Sequence, residues 1–357
     1  MRYARSWSGQ ASKPRFIAVH TAVRDYTASE RLLHRLALSL PIVGELSFGL
    51  ENAVFGHELA PRDSVYVTGL ARAGTTALTR ALHKTGRFAS LTYADMPFVL
   101  APNLWSKVFR SSGRDETPRE RAHGDGIDVS ISSPEAFEEV FWRVNMDLPY
   151  VAATELVQHA VPAEVVGRLR RYQSLVCLRY QRGRYLAKNN NHVLRIGSLA
   201  ASMPESTFLV VFREPMEHSD SLLRQHVRFR GSDRFTRQYM TWLAHHEFGA
   251  VHRPFRFVGQ GAAIGSPEER AYWLQRWIDA YSHLLPILQQ ARPNVFGVSH
   301  RRLCEEGEYR RSLFDRLGLP DPGPVFARRR DVTDSSGLSP ASLARASEVH
   351  AALEAVR

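Results

Sequence analysis

The chain has 357 residues, 44% of them hydrophobic and 23% charged, which is typical of a folded globular protein and excludes wholesale disorder, collagen and a coiled coil. Lysine and arginine outnumber aspartate and glutamate by 47 to 36. The resulting net charge of +11 favours polyanions, nucleotides or acidic glycans as ligands. With only two cysteines, a disulfide framework is excluded and a reducing compartment is favoured. No apolar run reaches the ~18 residues of a membrane span, and the N-terminus lacks the apolar core of a signal peptide. We therefore predict a cytoplasmic protein without a transmembrane segment.

Residues 1–61 are predicted to form a helical N-terminal extension. Residues 29–50 carry an apolar pattern with helical spacing, which favours a helix packed on the body and leaves peripheral contact with a membrane surface as the alternative. A compact unit is predicted from Ser64. Its first strand is the run Val65-Tyr66-Val67-Thr68, and a helix is predicted from Thr75 to Lys84.

Further along the chain, predicted strands alternate with predicted helices. The polar, glycine-rich stretch 110–130 indicates a loop or lid. Ser133-Pro134-Glu135 is predicted to start a helix that runs through Trp142. The other predicted strands are 184–187, 207–212 and 295–298, and the other predicted helices are 191–203, one from 216 onward, and 267–291. The alternation predicts an α/β fold of three layers, with a central parallel sheet flanked by helices.

The segment between the first strand and its helix carries the first chemical motif, Gly69-Leu70-Ala71-Arg72-Ala73-Gly74-Thr75-Thr76. Two glycines permit a tight turn in which N–H groups converge on the helix N-terminus, and such a turn binds phosphate. Thr75 and Thr76 add hydroxyl groups, and Arg72 adds a permanent charge. The spacing is that of a P-loop, but Thr75 stands where the Walker lysine would be, so a nucleoside triphosphate on magnesium fits badly.

The second motif follows the most hydrophobic predicted strand. Arg213-Glu214-Pro215 leaves the end of that strand, and Ser221 lies eight residues past the arginine in the next helix. Ligands of open α/β sheets bind at the ends of the strands. Arg213 and Ser221 are therefore predicted to hold a second phosphate.

With both motifs in this order, the sequence resembles the sulfotransferases that use 3′-phosphoadenosine-5′-phosphosulfate (PAPS). The resemblance covers about residues 64–320, and the implied domains are an extension at 1–61, a sulfotransferase domain at 62–325 and a basic C-terminal segment with a helix at 326–357. It implies that residues of the two motifs hold the PAPS phosphates and that Lys188 neutralises the moving sulfuryl group. The implied cofactor-binding residues are Gly69, Arg72, Ala73, Gly74, Thr75, Thr76, Arg213, Ser221 and Arg329.

The sequence departs from that family at two places. Ala73 replaces the serine common in the first loop, and Asn190 stands where the branch acting on small molecules has a catalytic histidine. The base must then come from elsewhere. Asp95 is the best match to the carboxylate of the carbohydrate and tyrosine-directed branches, and an apolar surround would raise its pKa. His123 is the rival base.

Three features leave alternatives open. Arg328-Arg329-Arg330 either closes over the cofactor phosphates or is a solvated basic run. His245, His246 and His252 suggest a metal, but no second cluster supports one, and no metal is predicted. No nucleic-acid recognition motif occurs.

The predicted enzyme therefore transfers a sulfuryl group by in-line displacement to a hydroxyl of a carbohydrate or a small metabolite. A P-loop kinase and an inactive nucleotide-binding scaffold remain the alternatives.

Overall fold

The computed structural model describes residues 27–56, 63–108, 119–120, 128–129, 131–146, 150–290, 292–328 and 334–356. Its strands are β1 Val65–Thr68, β2 Phe88–Ala89, β3 Arg119–Glu120, β4 Asp128–Val129, β5 Leu156–Val157, β6 Arg184–Lys188, β7 Thr207–Phe212, β8 Phe255–Arg256 and β9 Val295–Ser299. The main sheet has five parallel strands in the order β2-β6-β1-β7-β9. Two small sheets pair β3 with β4 and β5 with β8. The predicted parallel sheet is thus confirmed.

The order of the strands decides where the predicted site residues meet. The first strand, β1, lies between β6 and β7, with Val67 opposite both Lys188 and Leu209. Since all three strands are parallel, their carboxyl ends share one edge. The glycine loop after β1, Lys188 at the end of β6 and Arg213 after β7 therefore leave the sheet side by side.

Helices cover both faces of the sheet. Residues of β1 and β7 alternate between two hydrophobic clusters, with Tyr66 and Phe208 in one and Val65 and Leu209 in the other. The helices are α1 Ala28–Ser39, α2 Pro41–Phe55, α3 Thr75–Lys84, α4 Pro102–Val108, α5 Glu139–Asn145, α6 Ala163–Tyr180, α7 Ile196–Ser202, α8 Pro215–Arg230, α9 Arg234–Trp242, α10 Arg270–Gln289, α11 His300–Glu305, α12 Gly307–Arg316 and α13 Pro340–Ala355. This is the predicted three-layer α/β arrangement.

Four predicted elements differ from the structure. The pattern at 29–50 forms two helices because Pro41 starts a new one. The helix predicted from Ser133 begins only at Glu139, because Pro134 instead forms an isolated bridge with Thr92. The helix predicted over 191–203 is a 3₁₀ turn, Asn190–Leu194, followed by α7. The helix predicted over 267–291 runs from Arg270 to Gln289.

The two N-terminal helices pack against the body through one face. Leu38 and Phe48 join the larger hydrophobic cluster, and the fully buried Glu51 carboxylate accepts hydrogen bonds from the backbone of Asn103 and Leu104. No helix of the described ranges is long and apolar enough to cross a membrane.

Candidate active site

The glycine loop between β1 and α3 has a left-handed backbone at three positions, two of which are glycines. Gly69 and Gly74 have φ values of 136° and 103°, and Arg72 is also left-handed at 71°. A Cβ on Gly74 would lie 2.3 Å from the imidazole of His300, and one on Gly69 would lie 2.3 Å from the carbonyl oxygen of Val211. Side chains are excluded from both turns, so the loop keeps the N-terminus of α3 open to an anion.

A buried histidine ties this loop to α8. The Nε2 of His218 lies 2.8 Å from the carbonyl oxygen of Ala71 and donates a hydrogen bond to it. Burial is the main reason that the pKa of His218 falls to about 3, and the nearby Arg213 and Arg72 lower it further. The imidazole is therefore neutral at physiological pH, and the site's positive charge comes from its arginines.

Arg72 connects the two predicted phosphate sites directly. Its Nε donates a hydrogen bond of 3.2 Å to the hydroxyl of Ser221, the residue predicted for the second site. The two residues are far apart in the chain and meet because β1 and β7 are paired. The motifs of the first and second sites therefore form one continuous polar surface at the edge of the sheet.

The second site contains an acid that the sequence prediction missed. The carboxylate of Glu217 lies 3.3 Å from the guanidinium of Arg213 and 2.6 Å from that of Arg328. Arg328 also reaches Glu305 at 2.9 Å. The side chains of Arg213, Glu217 and Arg328 are between 9 and 16% exposed, so the cluster is mostly buried and its arginines keep a small accessible surface. The i,i+4 spacing of Arg213 and Glu217 was a readable signal of this pair.

Lys188 also has a carboxylate partner that the sequence did not indicate. Its Nζ lies 2.9 Å from an Oε1 of Glu135, and both side chains are about nine-tenths buried. Glu135 reaches this place because its N–H bonds to the carbonyl oxygen of Leu91, and Leu91 follows the strand beside β6. The pairing joins segments distant in the chain, so no local pattern announces it.

Asp95, the predicted base, has other partners. Its Oδ2 accepts hydrogen bonds from the Tyr180 hydroxyl at 2.5 Å and the Thr92 N–H at 2.8 Å, and Arg179 lies 3.8 Å from Oδ1. The side chain is almost fully buried. Burial raises the pKa of Asp95, as predicted, while the Tyr180 bond lowers it. These contacts join Asp95 to the end of α6.

Asn190 links the glycine loop to a neighbouring cavity. The Thr75 hydroxyl lies 3.5 Å from the Asn190 Oδ1, and the Asn190 amide donates to Glu247 at 3.0 Å. Glu247 lines a cavity whose other lining residues are Leu70, Ala71, Leu222, His252, Arg253, Pro254, Phe255, Trp273 and Arg276. The cavity therefore opens next to the glycine loop, and apolar and aromatic side chains form much of its wall.

The remaining predicted residues divide into two sets. Ala73 and Thr76 lie in the buried glycine loop. His123 and Arg329 lie outside the described residues, so their predicted roles stay predictions. His246 and His252 contact backbone carbonyl groups, and no group of metal-binding side chains occurs in the described ranges.

Comparison with known proteins identifies the family of this chain. The sulfotransferase family model matches residues 64–258, more than half of the chain. No curated protein sequence matches significantly. The crystal structure of sulfotransferase STF1 from Mycobacterium tuberculosis H37Rv has a similar fold, with a TM-score of 0.52 at 13% identity over 92% of this chain and 86% of that one.

Two further crystal structures are less similar. Sulfotransferase STF9 from Mycobacterium avium has a TM-score of 0.46 at 12% identity, over 92% of this chain and 79% of that one. A sulfotransferase from Alicyclobacillus acidocaldarius has a TM-score of 0.36 at 16% identity, over 82% of this chain and 95% of that one. From the match of the family model over more than half its length, the chain belongs to the sulfotransferase family and is a sulfotransferase.

Proposed function

We propose that the enzyme takes its sulfuryl group from PAPS and passes it to the hydroxyl of a small acceptor. The contact between Arg72 and Ser221 carries this proposal, because it joins two anion-binding elements into one surface. A nucleotide with phosphates at both its 3′ and 5′ positions matches such a surface. A mononucleotide would use only half of it.

The residues at the sheet edge fit this donor. The amides of Gly74, Thr75 and Thr76 lie at the start of α3, where N–H groups have no acceptor within the helix, and would hold the 5′-phosphate. Arg213 and Ser221 would hold the 3′-phosphate, with Arg329 as a further predicted contact. The left-handed Gly74 leaves the room that this requires, since a side chain there would run into His300.

Catalysis by these residues would be positioning and charge neutralisation. PAPS supplies a sulfuryl group whose oxygens and bridging oxygen gain negative charge during in-line transfer. Arg72 and Lys188 would stabilise that charge from fixed positions, and Lys188 is held at the edge because its strand pairs with β1.

For the base, we propose Glu135 in place of Asp95. Glu135 lies 2.9 Å from the Lys188 ammonium, whereas the Asp95 carboxylate accepts hydrogen bonds from Tyr180 and Thr92. A base must reach the proton that it removes. In this scheme Glu135 accepts the proton of the acceptor hydroxyl while Lys188 neutralises the sulfuryl oxygens from its fixed position. His123 stays the other candidate from the sequence.

The cavity beside the glycine loop is the proposed acceptor site. Leu70, Leu222, Phe255 and Trp273 give it an apolar wall, which favours a hydroxyl on a small, largely apolar metabolite over an extended glycan. Arg253 makes no side-chain hydrogen bond or ion pair among the described residues and lines the same cavity. An acceptor with one acidic group besides its hydroxyl would use both features.

We also propose that the reaction takes place in the cytoplasm. Cys177 and Cys304 are free thiols, which suits a reducing compartment.

Thermal unfolding with two nucleotides tests the donor. We expect adenosine 3′,5′-bisphosphate to raise the melting temperature more than ATP with magnesium does. A larger effect of ATP–magnesium would favour a kinase, and no effect of either nucleotide would contradict the proposed donor. Stabilisation by the bisphosphate without any transfer of sulfate from PAPS would favour an inactive nucleotide-binding scaffold. Transfer of radiolabelled sulfate from PAPS to a panel of apolar and sugar hydroxyls then tests the acceptor class.

A pair of variants tests the base. Glu135→Gln should lower kcat by about 10²-fold or more and abolish the limb of the pH–rate profile that reports the base. Asp95→Asn should keep that limb, because Asp95 contributes to packing. The opposite assignment of the two effects would restore Asp95 as the base.

A further inference from the structure

The outer face of the two N-terminal helices is an aliphatic surface open to solvent. Seven large side chains recur there at intervals of four residues along each helix, which places them in one stripe per helix. Each is between 44 and 66% exposed. We call this surface the aliphatic face; its residues are Leu32 and Leu36 of α1, Leu40 between the two helices, and Ile42, Leu46, Leu50 and Val54 of α2.

The aliphatic face cannot turn inward without breaking the packing of the inner face. Phe48 is buried against Phe141 and Tyr172, and Glu51 holds Asn103 through its backbone and side-chain amides. Gly44 packs so closely that an added Cβ would lie 2.8 Å from Val144. The helices are thus fixed with their apolar outer side exposed.

The exposed large aliphatic side chains are concentrated on the aliphatic face. Elsewhere in the described ranges, the exposed large aliphatic side chains are isolated: Val108, Val227, Val258, Ile264 and Val325. Single exposed residues are ordinary, but a contiguous apolar patch marks a contact surface. Burial of aliphatic side chains stabilises a complex in proportion to the area removed from water, so seven of them together favour a bound partner or surface.

Charge indicates what covers the aliphatic face. Arg31 and Arg35 are exposed one position before Leu32 and Leu36. In the sequence, residues 1–26 contain five lysines and arginines and one aspartate or glutamate. A second copy of this chain would bring a like charge of +11, which opposes association, whereas an anionic surface is attracted.

We propose that the aliphatic face lies on an anionic lipid surface and anchors the enzyme to it peripherally. Interfacial helices of this kind insert apolar side chains at the headgroup boundary, while basic residues contact anionic headgroups. The structure has both parts, an apolar face and flanking arginines. This anchoring goes beyond the sulfuryl transfer proposed above and does not depend on it.

Vesicle co-sedimentation of the full-length protein tests the anchor. Vesicles of pure phosphatidylcholine are compared with vesicles that contain about one third phosphatidylglycerol. We expect binding to the anionic vesicles, weakened by salt, and a loss of about ten-fold or more in partitioning for the double variant Leu46→Ser with Leu50→Ser.

The matched control removes two aliphatic side chains from outside the aliphatic face that are even more exposed than Leu46 and Leu50, Val258→Ser with Ile264→Ser. This variant should bind vesicles like the wild type, and circular dichroism should show that both double variants are folded. Two results would overturn the proposal. One is failure of the wild type to bind anionic vesicles. The other is a dimer, seen by light scattering, that the Leu46/Leu50 variant converts to a monomer.

Discussion

Two arginine–carboxylate clusters of this molecule share their chemistry and differ in their surroundings. Arg195 and Glu139 form an ion pair of 2.7 Å in which neither side chain is exposed. Asn189, next to Lys188, donates to the same carboxylate at 2.5 Å. Burial opposes the charge on Glu139, but Arg195 and the hydrogen bonds keep its pKa below the ordinary value. This cluster is fully buried, and its bond to Asn189 fixes the segment that carries Lys188.

The cluster of Arg213, Glu217 and Arg328 remains partly open to solvent. Its two arginines share Glu217, and Arg72 approaches from the glycine loop. Glu217 is itself buried, so a phosphate would have to join it as a further partner of the two arginines, because displacing it would leave its charge buried without compensation. The difference indicates that the fully buried pair serves the packing of the fold, whereas the slightly accessible cluster is the one that suits the proposed phosphate site.

The largest expected effect concerns the buried cluster. Glu139→Gln should reduce the free energy of unfolding by about 3 to 5 kcal/mol, because it leaves the Arg195 charge buried without compensation. Urea unfolding measures it. The control is Glu205→Gln, which breaks the surface pair with Arg170 and should cost less than about 1 kcal/mol. Equal losses in the two variants would show that burial does not distinguish the pairs.

Lys188→Ala should lower turnover by about 10²-fold or more, because transition-state charge loses a fixed cation. Affinity for adenosine 3′,5′-bisphosphate should change little, since the product lacks the sulfuryl group. Steady-state kinetics and calorimetry measure the two quantities. The control is Lys107→Ala, at a lysine whose ammonium lies over the ring of Phe55, and it should leave turnover and affinity unchanged. A variant at Lys188 that loses only affinity would contradict the proposed role.

Gly74→Ala should weaken binding of the bisphosphate by about ten-fold, because its Cβ would displace His300 and close the N-terminus of α3. Gly86→Ala is the matched control: Gly86 is also left-handed, at φ 70°, but has no neighbour within 4 Å of an added Cβ. Calorimetric titration separates the two. Equal affinities would mean that the turn at Gly74 does not form the anion site.

The smallest effect is a pH dependence. The pKa of His218 lies at about 3 in the folded chain and near 6.5 in the unfolded chain, so the unfolded chain binds more protons between those values and stability falls as the pH is lowered through 6.5. When the pH is lowered from 6.5 to 5.5, the free energy of unfolding should therefore fall by about 1 kcal/mol less in His218→Asn than in the wild type. Unfolding curves at the two pH values measure this, and an unchanged difference would contradict it.

The sequence predicted the elements whose signals are local. A run of β-branched residues ending at Gly69 predicted β1, and the glycine spacing predicted the loop and the start of α3, all of which the structure confirms. The parallel sheet followed from the alternation of strands and helices. Recognition of the sulfotransferase family rested on these motifs and is confirmed by the family match.

The parts that the sequence did not predict depend on contacts between distant segments. Glu135 faces Lys188 only because Pro134 bridges to Thr92, and this pairing also delays the start of α5. Asp95 is predicted as a base beside apolar neighbours, and the sequence did not indicate its hydrogen bond from Tyr180 at the far end of α6. Local pattern fixes an element, whereas the partner of a charged side chain depends on the packing of the whole fold.

The proposed donor site is tested most directly by calorimetry, which compares the affinities of adenosine 3′,5′-bisphosphate and adenosine 5′-phosphate for the wild type and for Arg213→Ala. We expect loss of the 3′-phosphate to weaken binding to the wild type by about ten-fold or more, because charge-assisted hydrogen bonds are lost, and to weaken binding to the variant much less. Equal affinities of the wild type for both nucleotides would contradict the claim that Arg213 and the glycine loop hold two ends of one nucleotide.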